Sequence, residues 1–238
     1  MKKPSLLILF LFGLVFSGLL SCNNSCERGS GKIVSEDRKV TAFTKINVSG
    51  SYKLILKQGE AAVKVTADDN LLKLIETEVN GDELKISTKR NVCDASPMIV
   101  YVTNPDFRAV KSSGAVDLSA DRKLTLKDFD MELAGSSKVN LNLNAANVTT
   151  ATSGSSEINL TGQATQNNVT MSGNSNLNAF DFVVADYRIE TSGASHCRVN
   201  VLNELSVNMS GIASVEYKGN PTKINNEHSG ATSIKKIP

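Results

Sequence analysis

The sequence predicts an all-β chain, a right-handed parallel β-helix with windings of about 19 residues and a short helix inserted in the N-terminal half. Two observations carry that expectation. Ser-Gly or Ala-Gly pairs recur at Gly114, Gly135, Gly154, Gly173, Gly193, Gly211 and Gly230, at intervals of 18–21 residues. Residues two and four before each glycine, and four and six after it, are mainly apolar, with polar residues between them. Such period-two alternation buries one face of a strand, whereas a helix needs spacings of three and four. The glycine marks a corner where a side chain would crowd the next winding. Strand–corner–strand units at one period are the pattern of a stack in which each winding adds a layer about 4.8 Å high. A sandwich or jelly roll supplies short strands without a period in phase. A left-handed hexapeptide solenoid needs an apolar residue at every sixth position, which this chain lacks.

Taken in chain order, Lys2 and Lys3 precede an apolar run, Leu6–Leu20, that is shorter than the roughly 20 residues of a bilayer span. Residues 1–21 therefore read as a secretory signal. Leu19-Leu20-Ser21-Cys22 resembles a bacterial lipobox, which makes Cys22 the acylated first residue of the mature chain. An ordinary signal peptide or an uncleaved anchor is the alternative. Several acyl chains, palmitate among them, would hold the chain at a membrane at about 0.8 kcal/mol per buried methylene. Asn23 rather than Asp follows the cysteine, and Glu27 is the one nearby acid. The expected address is the outer membrane, with periplasmic and surface faces both open. Residues 22–31 read as a flexible tether.

Residues 32–238 read as a single domain, with irregular windings over 32–108 and regular Ser-Gly windings over 109–238. Ile46, Val48, Gly50, Leu54 and Leu56 repeat the later pattern, so Val40–Lys57 is an early winding. Ala62–Ala67 alternates as a strand, and Asp68-Asp69-Asn70 could cap a helix over Leu71–Glu76. Asn80-Gly81 makes a tight turn between Thr77–Val79 and Leu84–Thr88. Met98–Thr103 is a strand closed by Asn104-Pro105-Asp106. This half is expected to cover the end of the stack, whose open strand edge would otherwise invite aggregation. In the regular half, Val139, Ile158, Leu177, Cys197 and Val215 are assigned to one interior column.

The charges exclude a polyelectrolyte partner. The chain has 26 basic and 24 acidic residues, and removing Lys2 and Lys3 with the signal leaves 24 of each. Nothing in that balance favours nucleic acid. Beyond Cys22, Cys26, Cys93 and Cys197 meet an oxidising compartment, and an odd count leaves at least one thiol free. Cys26–Cys93 is a conceivable bridge that would staple the tail. No CxxC spacing suggests a metal. His196 beside Cys197 invites a nucleophile–base reading, but neighbouring strand residues point to opposite faces, so Cys197 reads as a buried hydrophobe. His228 reads as packing at the end of the stack. Asp117, Asp128, Asp130, Glu157, Asp181 and Glu190 do not all recur at one repeat position, so no acidic ladder for glycoside chemistry is evident. No Trp is present to form a sugar platform, and phosphate loops and calcium nonapeptides are absent. No catalytic residue, metal or cofactor is assigned. Outward rows are read at Asn140, Asn142 and Asn144, at Ser155, Ser156 and Asn159, and at Asn174, Asn176 and Asn178.

The run from Phe43 to Gly59 (FTKINVSGSYKLILKQG), then Val65–Leu72, Ile75–Val79, Leu84–Ile86 and Met98–Thr103 with the Ser-Gly windings, resembles the head GIN domain family of auto-transporter adhesins over about residues 30–235. That resemblance implies a secreted or lipid-anchored β-helical protein without an established activity. The reading that follows is a non-catalytic cell-envelope lipoprotein that binds glycan or surface protein. An envelope spacer without a ligand is the alternative, and a polysaccharide-degrading β-helix enzyme is the third. Oligomeric state stays open.

Overall fold

The computed structural model describes residues 26–238, so the signal segment 1–21, Cys22 and the first residues of the tether lie outside the described residues. The strands are β1 (Glu27–Arg28), β2 (Ile33–Arg38), β3 (Lys45–Gln58), β4 (Ala62–Asp68), β5 (Ile75–Asn80), β6 (Glu83–Thr88), β7 (Val92–Cys93), β8 (Ile99–Asn104) and β9 (Ala109–Ala120), then β10 (Leu124–Lys218), β11 (Lys223–His228) and β12 (Ala231–Lys236). The described residues are thus all β apart from one short 3-10 turn, and they form no closed barrel. No described helix is long and apolar enough to cross a membrane.

The 95 residues of β10 form one extended run that folds back on itself. Its register is visible at its start, where Gly50, Gly114 and Gly135 lie side by side in parallel β3, β9 and β10. Leu54, Leu118 and Val139 are aligned in the same way four residues on. At the other end Val215 lies opposite Ile234 of β12, and Met209 opposite His228 of β11. Between these ends the glycines continue the column. A Cβ on Gly154 would overlap the carbonyl oxygen of Gly135, and one on Gly173 that of Gly154. Gly154 has φ +117°, where an L side chain is strained whatever the space. Val139, Ile158, Leu177, Cys197 and Val215 are all buried, in one continuous core that runs from the first strands to the last winding.

The N-terminal half departs from the expected windings. The sheet is mixed: β2 pairs with β4, β4 with β8, and β5 with β6, all antiparallel. β3 is the boundary, pairing with β9 on its regular side and with β6 and then β8 on the other. Gly81 closes the β5–β6 hairpin, and short connections of this kind favour antiparallel pairing, since a parallel return needs a longer crossover. The arrangement covers the end of the stack as expected, burying Val63, Val65, Val100 and Val102 over it.

The helix expected over Leu71–Glu76 is not formed. Leu72–Leu74 makes one 3-10 turn without a side-chain cap, and the chain then enters β5. Ile75 faces Thr88 and Val79 faces Leu84, so strand pairing and burial override local helix preference. Asp68 is not a cap either. It is fully buried and accepts hydrogen bonds from the Ser96 amide (2.8 Å) and hydroxyl (2.9 Å).

The segment read as a flexible tether over residues 22–31 is pinned from Cys26 onward. Cys26 and Cys93 form a disulfide, and Glu27–Arg28 pairs with Val92–Cys93. The Ser30 hydroxyl donates to Asp69 at 2.7 Å, and its amide to Asn70 at 3.0 Å. His228 is exposed on β11 rather than packed, because no further winding covers that edge among the described residues.

The close backbone approach at the corners gives a direct test. Gly154→Ala is expected to lose about 3–4 kcal/mol through overlap and strained φ, lowering Tm by about 10 °C. Gly81→Ala, with open space around its Cβ, is expected to lose about 1 kcal/mol and about 3 °C. Calorimetric melts showing equal shifts would overturn the role given to the corner contact.

Candidate functional site

Three consecutive residues at each corner from Gly50 to Gly211, the glycine and its two neighbours, face outward, and the flanking positions turn back into the core. The neighbours in the middle of the column are small, Ser136, Ser155 and Asn174 on one side and Ala134, Ser153 and Ser172 on the other, whereas Gly211 is followed by the exposed Ile212. Larger side chains stand two residues further out, so the column of corners is flanked by two shallow grooves. The first, about 540 Å³, has Ser136, Ser155 and Asn174 as its floor and Lys53, Asp117, Lys138 and Glu157 along its wall. It continues into a second stretch of about 420 Å³ through Asn174, Asn176, His196 and Ser214. At its N-terminal end it shares Ser51, Pro97 and Met98 with a cleft of about 660 Å³ beneath the disulfide loop. The groove across the corner, about 480 Å³, is lined by Lys111, Glu132 and Thr170 among others.

Electrostatically, the walls neutralise themselves. Lys53 lies in register with Asp117, and Asp117 with Lys138. Lys138 Nζ is 3.9 Å from Glu157, and across the corner Lys111 Nζ is 3.1 Å from Glu132. These exposed pairs contribute little stability, about 0–1 kcal/mol each. Their consequence is a groove without a net field.

The asparagine rows read from the sequence form ladders. Asn159 Nδ2 donates to Asn140 Oδ1 at 3.0 Å, and Asn178 Nδ2 to Asn159 Oδ1 at 2.9 Å. Gln163 Nε2 donates to Asn144 Oδ1 at 3.2 Å in a second row. Ser156, assigned to an outward row, is instead buried. It sits two residues past its glycine, where the corner returns the chain to the interior.

Inside the corner, a hydroxyl two residues before one glycine meets the residue two after the next. Ser112 and Ser137 are bonded at 3.2 Å, and Thr152 and Ser175 at 3.0 Å. The corresponding partner slots are Leu133 for Ser156 and Met171 for Ser195, and both serine hydroxyls are unpaired. The outward alternation had masked this column, because serine carries no hydrophobic signal.

His196 faces outward and Cys197 inward, as their adjacency requires. His196 Nδ1 is hydrogen-bonded to Ser214 Oγ, and Nε2 lies 3.8 Å from Glu216, which also pairs with Arg198. Sequence reasoning missed this cluster because its members are 18 and 20 residues apart, one winding away. A serine, a histidine and a carboxylate together suggest acyl transfer. However, residues 212–217 are paired in parallel with 231–236, so their amides serve the sheet and offer no oxyanion site. Burial pushes the Cys197 thiol up to about 12, which leaves it a neutral core residue. Asp128 binds Asn147 and Glu190 pairs with Arg188, each on its own face. No group of three His, Cys, Asp or Glu side chains converges to hold a metal among the described residues.

The family described as "Putative auto-transporter adhesin, head GIN domain" matches residues 42–221. A crystal structure of a putative adhesin from Bacteroides fragilis aligns with TM-score 0.85 at 22% identity, covering 89% of this chain and all of the other. A putative adhesin from Parabacteroides merdae aligns at 0.70 and 18% identity, over 89% of this chain and 99% of its own. A putative lipid binding protein from Parabacteroides distasonis aligns at 0.72 and 18%, over 90% and 100%. At these identities the likeness establishes a shared fold. No curated protein matches the chain.

Two measurements check the corner interior. Ser175→Ala removes the partner of Thr152 and is expected to cost about 1 kcal/mol, whereas Ser156→Ala removes an unpaired hydroxyl and is expected to be neutral or stabilising; denaturant titrations giving the reverse order would refute the pairing rule. The Cys197 thiol is expected to resist maleimide in the folded chain and to react once unfolded. Its ordinary value is 9.0, so above that pH only the unfolded chain ionises there and stability falls as pH rises. A shallower alkaline loss of Tm in Cys197→Val is the expected signature.

Proposed function

We propose, on the premise that this chain belongs to the head GIN domain family of putative auto-transporter adhesins, that it is a non-catalytic binding module of the cell envelope. On this reading its windings form a right-handed parallel β-helix over residues 32–238. Lipid on Cys22 holds the mature chain at the outer membrane, and the grooves beside the glycine column meet a glycan or a surface protein.

The observation that carries the reading is the column itself. Backbone contact from Gly50 to Gly230 puts successive windings in phase, so outward side chains fall into straight polar rows on a support with one continuous core. A surface of that kind is preorganised for recognition, since few of its groups must be ordered on binding. A non-catalytic role is favoured by acids matched to neighbouring bases, as Asp117 and Glu157 are to Lys138, and by the sheet's use of the amides around His196 and Ser214. The lipid binding relative adds lipid to the ligand classes worth screening.

The detergent-solubilised full chain is expected to be captured reproducibly on an array of glycans, envelope proteins and lipids. Silence across all three would favour the spacer reading. In cells fed a tagged palmitate, label is expected on the wild-type chain and not on Cys22→Ser, which should also leave the membrane fraction. Label that survives the substitution would remove the lipid anchor from the proposal.

A further inference from the structure

We infer that the Cys26–Cys93 disulfide seats the N-terminal end of the stack on the membrane. In this arrangement β1 and the loop from Arg90 to Pro97 face the lipid headgroups, and the last winding is the far end. The inference rests on the Cys22 lipid reading above and adds to it the surface that meets the bilayer.

The first observation is the length of chain before the disulfide. Asn23, Asn24 and Ser25 separate Cys22 from Cys26. Four Cα steps span at most about 14 Å, so the lipid holds the bilayer surface within that distance of Cys26. Past Cys26 the chain has no slack. Glu27–Arg28 pairs with Val92–Cys93, Asn70 donates to the Arg28 carbonyl at 2.7 Å, and β2 pairs with β4 over Ile33–Arg38. Without the bridge, a two-residue ladder and exposed contacts hold the tail weakly, and Ile33 becomes the first firm hold. The steps from Cys22 to Ile33 span about 40 Å, so the disulfide shortens the connection about threefold.

The second observation is where the disulfide sits. Gly50, Arg90, Cys93 and Pro97 line one cleft, and Gly50 is the first glycine of the column. From Gly50 to Gly230 the windings rise about 34 Å, at about 4.8 Å each. A rod held at one end by a short connection is excluded from the bilayer's half-space, so its free end stands further out on average than its held end.

The two ends also differ in chemistry. At the held end the charges are matched: Arg28 lies 3.6 Å from Asp94, Arg90 2.7 Å from Glu27, and Lys32 3.3 Å from Asp69. Such a base meets zwitterionic or anionic headgroups without strong attraction or repulsion, which leaves the connection to fix its place. Ile33 is in register with Asp68, whose carboxylate holds Ser96 of the loop, and is 57% exposed. It gives this end an apolar side chain to set among the headgroups. At the far end Asn226, His228 and Lys236 stand in register with Val207, Met209 and Tyr217. Polar residues there take slots that the preceding winding fills with buried or half-buried apolar ones, as a terminal winding facing water requires.

The test uses the full lipidated chain in phosphatidylcholine vesicles whose headgroups carry an acceptor dye. The donor is attached through a click-reactive residue replacing Asn91 or Lys235, both exposed. Energy transfer is expected to be at least about 2-fold stronger from position 91, given the rise of about 34 Å between the ends. It is expected to be unchanged by phosphatidylglycerol or salt. A Gly-Ser insert of about ten residues between Ser25 and Cys26 keeps the disulfide and Tm, extends the reach to about 50 Å, and is expected to lower transfer from position 91 at least about 2-fold. Cys26→Ser combined with Cys93→Ser is expected to lower it in the same direction. Equal or stronger transfer from position 235, or transfer from position 91 indifferent to the insert, would overturn the seat and leave the lipid anchor standing. Transfer from position 91 that requires phosphatidylglycerol would overturn the part given to the short connection. If the purified chain carries no lipid on Cys22 and stays off the vesicles, anchor and seat fall together.

Discussion

The structure depends on one contact, the approach of backbone to backbone at the corners. Each corner glycine (Gly114, Gly135, Gly154, Gly173, Gly193, Gly211 and Gly230) sits so close to the preceding corner glycine that a Cβ would overlap its carbonyl. The contact forces register, because shifting a winding by one residue would drive a side chain into that space and turn every buried residue outward. With register set, Leu54, Leu118 and Val139 must share a column, and so must the outward rows. The polar face and the apolar core are thus two consequences of one steric constraint.

A sharp corner also narrows the interior next to it. Large apolar residues alternate there with serine and threonine, which fit the space and pair diagonally between windings where two hydroxyls coincide. Where a hydroxyl meets leucine or methionine instead, it stays unsatisfied, as at Ser156 and Ser195. Unpaired buried hydroxyls carry a penalty of about 1–3 kcal/mol each. At the N-terminal end, the antiparallel strands, the Cys26–Cys93 disulfide and the buried Asp68–Ser96 contact join the tail and the loop to the stack. That loop also bounds the mouth of the groove, so the same contacts that close the fold shape the surface.

On the proposed reading, the arrangement serves recognition rather than reaction. Catalysis by carboxylates or nucleophiles needs convergent groups with perturbed ionisation, and a rigid stack distributes its polar side chains along parallel rows. His196, Ser214 and Glu216 come nearest to convergence, yet the sheet uses the amides that a developing oxyanion would need.

The recurring glycine and the period-two pattern were sufficient, read as sequence, to place the buried column through Val139, Ile158, Leu177, Cys197 and Val215 and the exposed asparagine rows. Those features are local and repeat in phase, so each winding carries its own signal. What only the tertiary structure decided depends on contacts between distant segments. Asp68 has the residues of a helix cap, but Ser96, 28 positions away, claims its carboxylate. Ile75 and Val79 fit a helix until β6 offers a partner strand. Ser156 reads as exposed polar surface until the corner turns it inward, and His196 acquires Ser214 only when windings stack. Alternation records which face a residue takes along a straight strand; where the chain bends, or where the choice rests on what lies across from it, the answer belongs to the assembled fold.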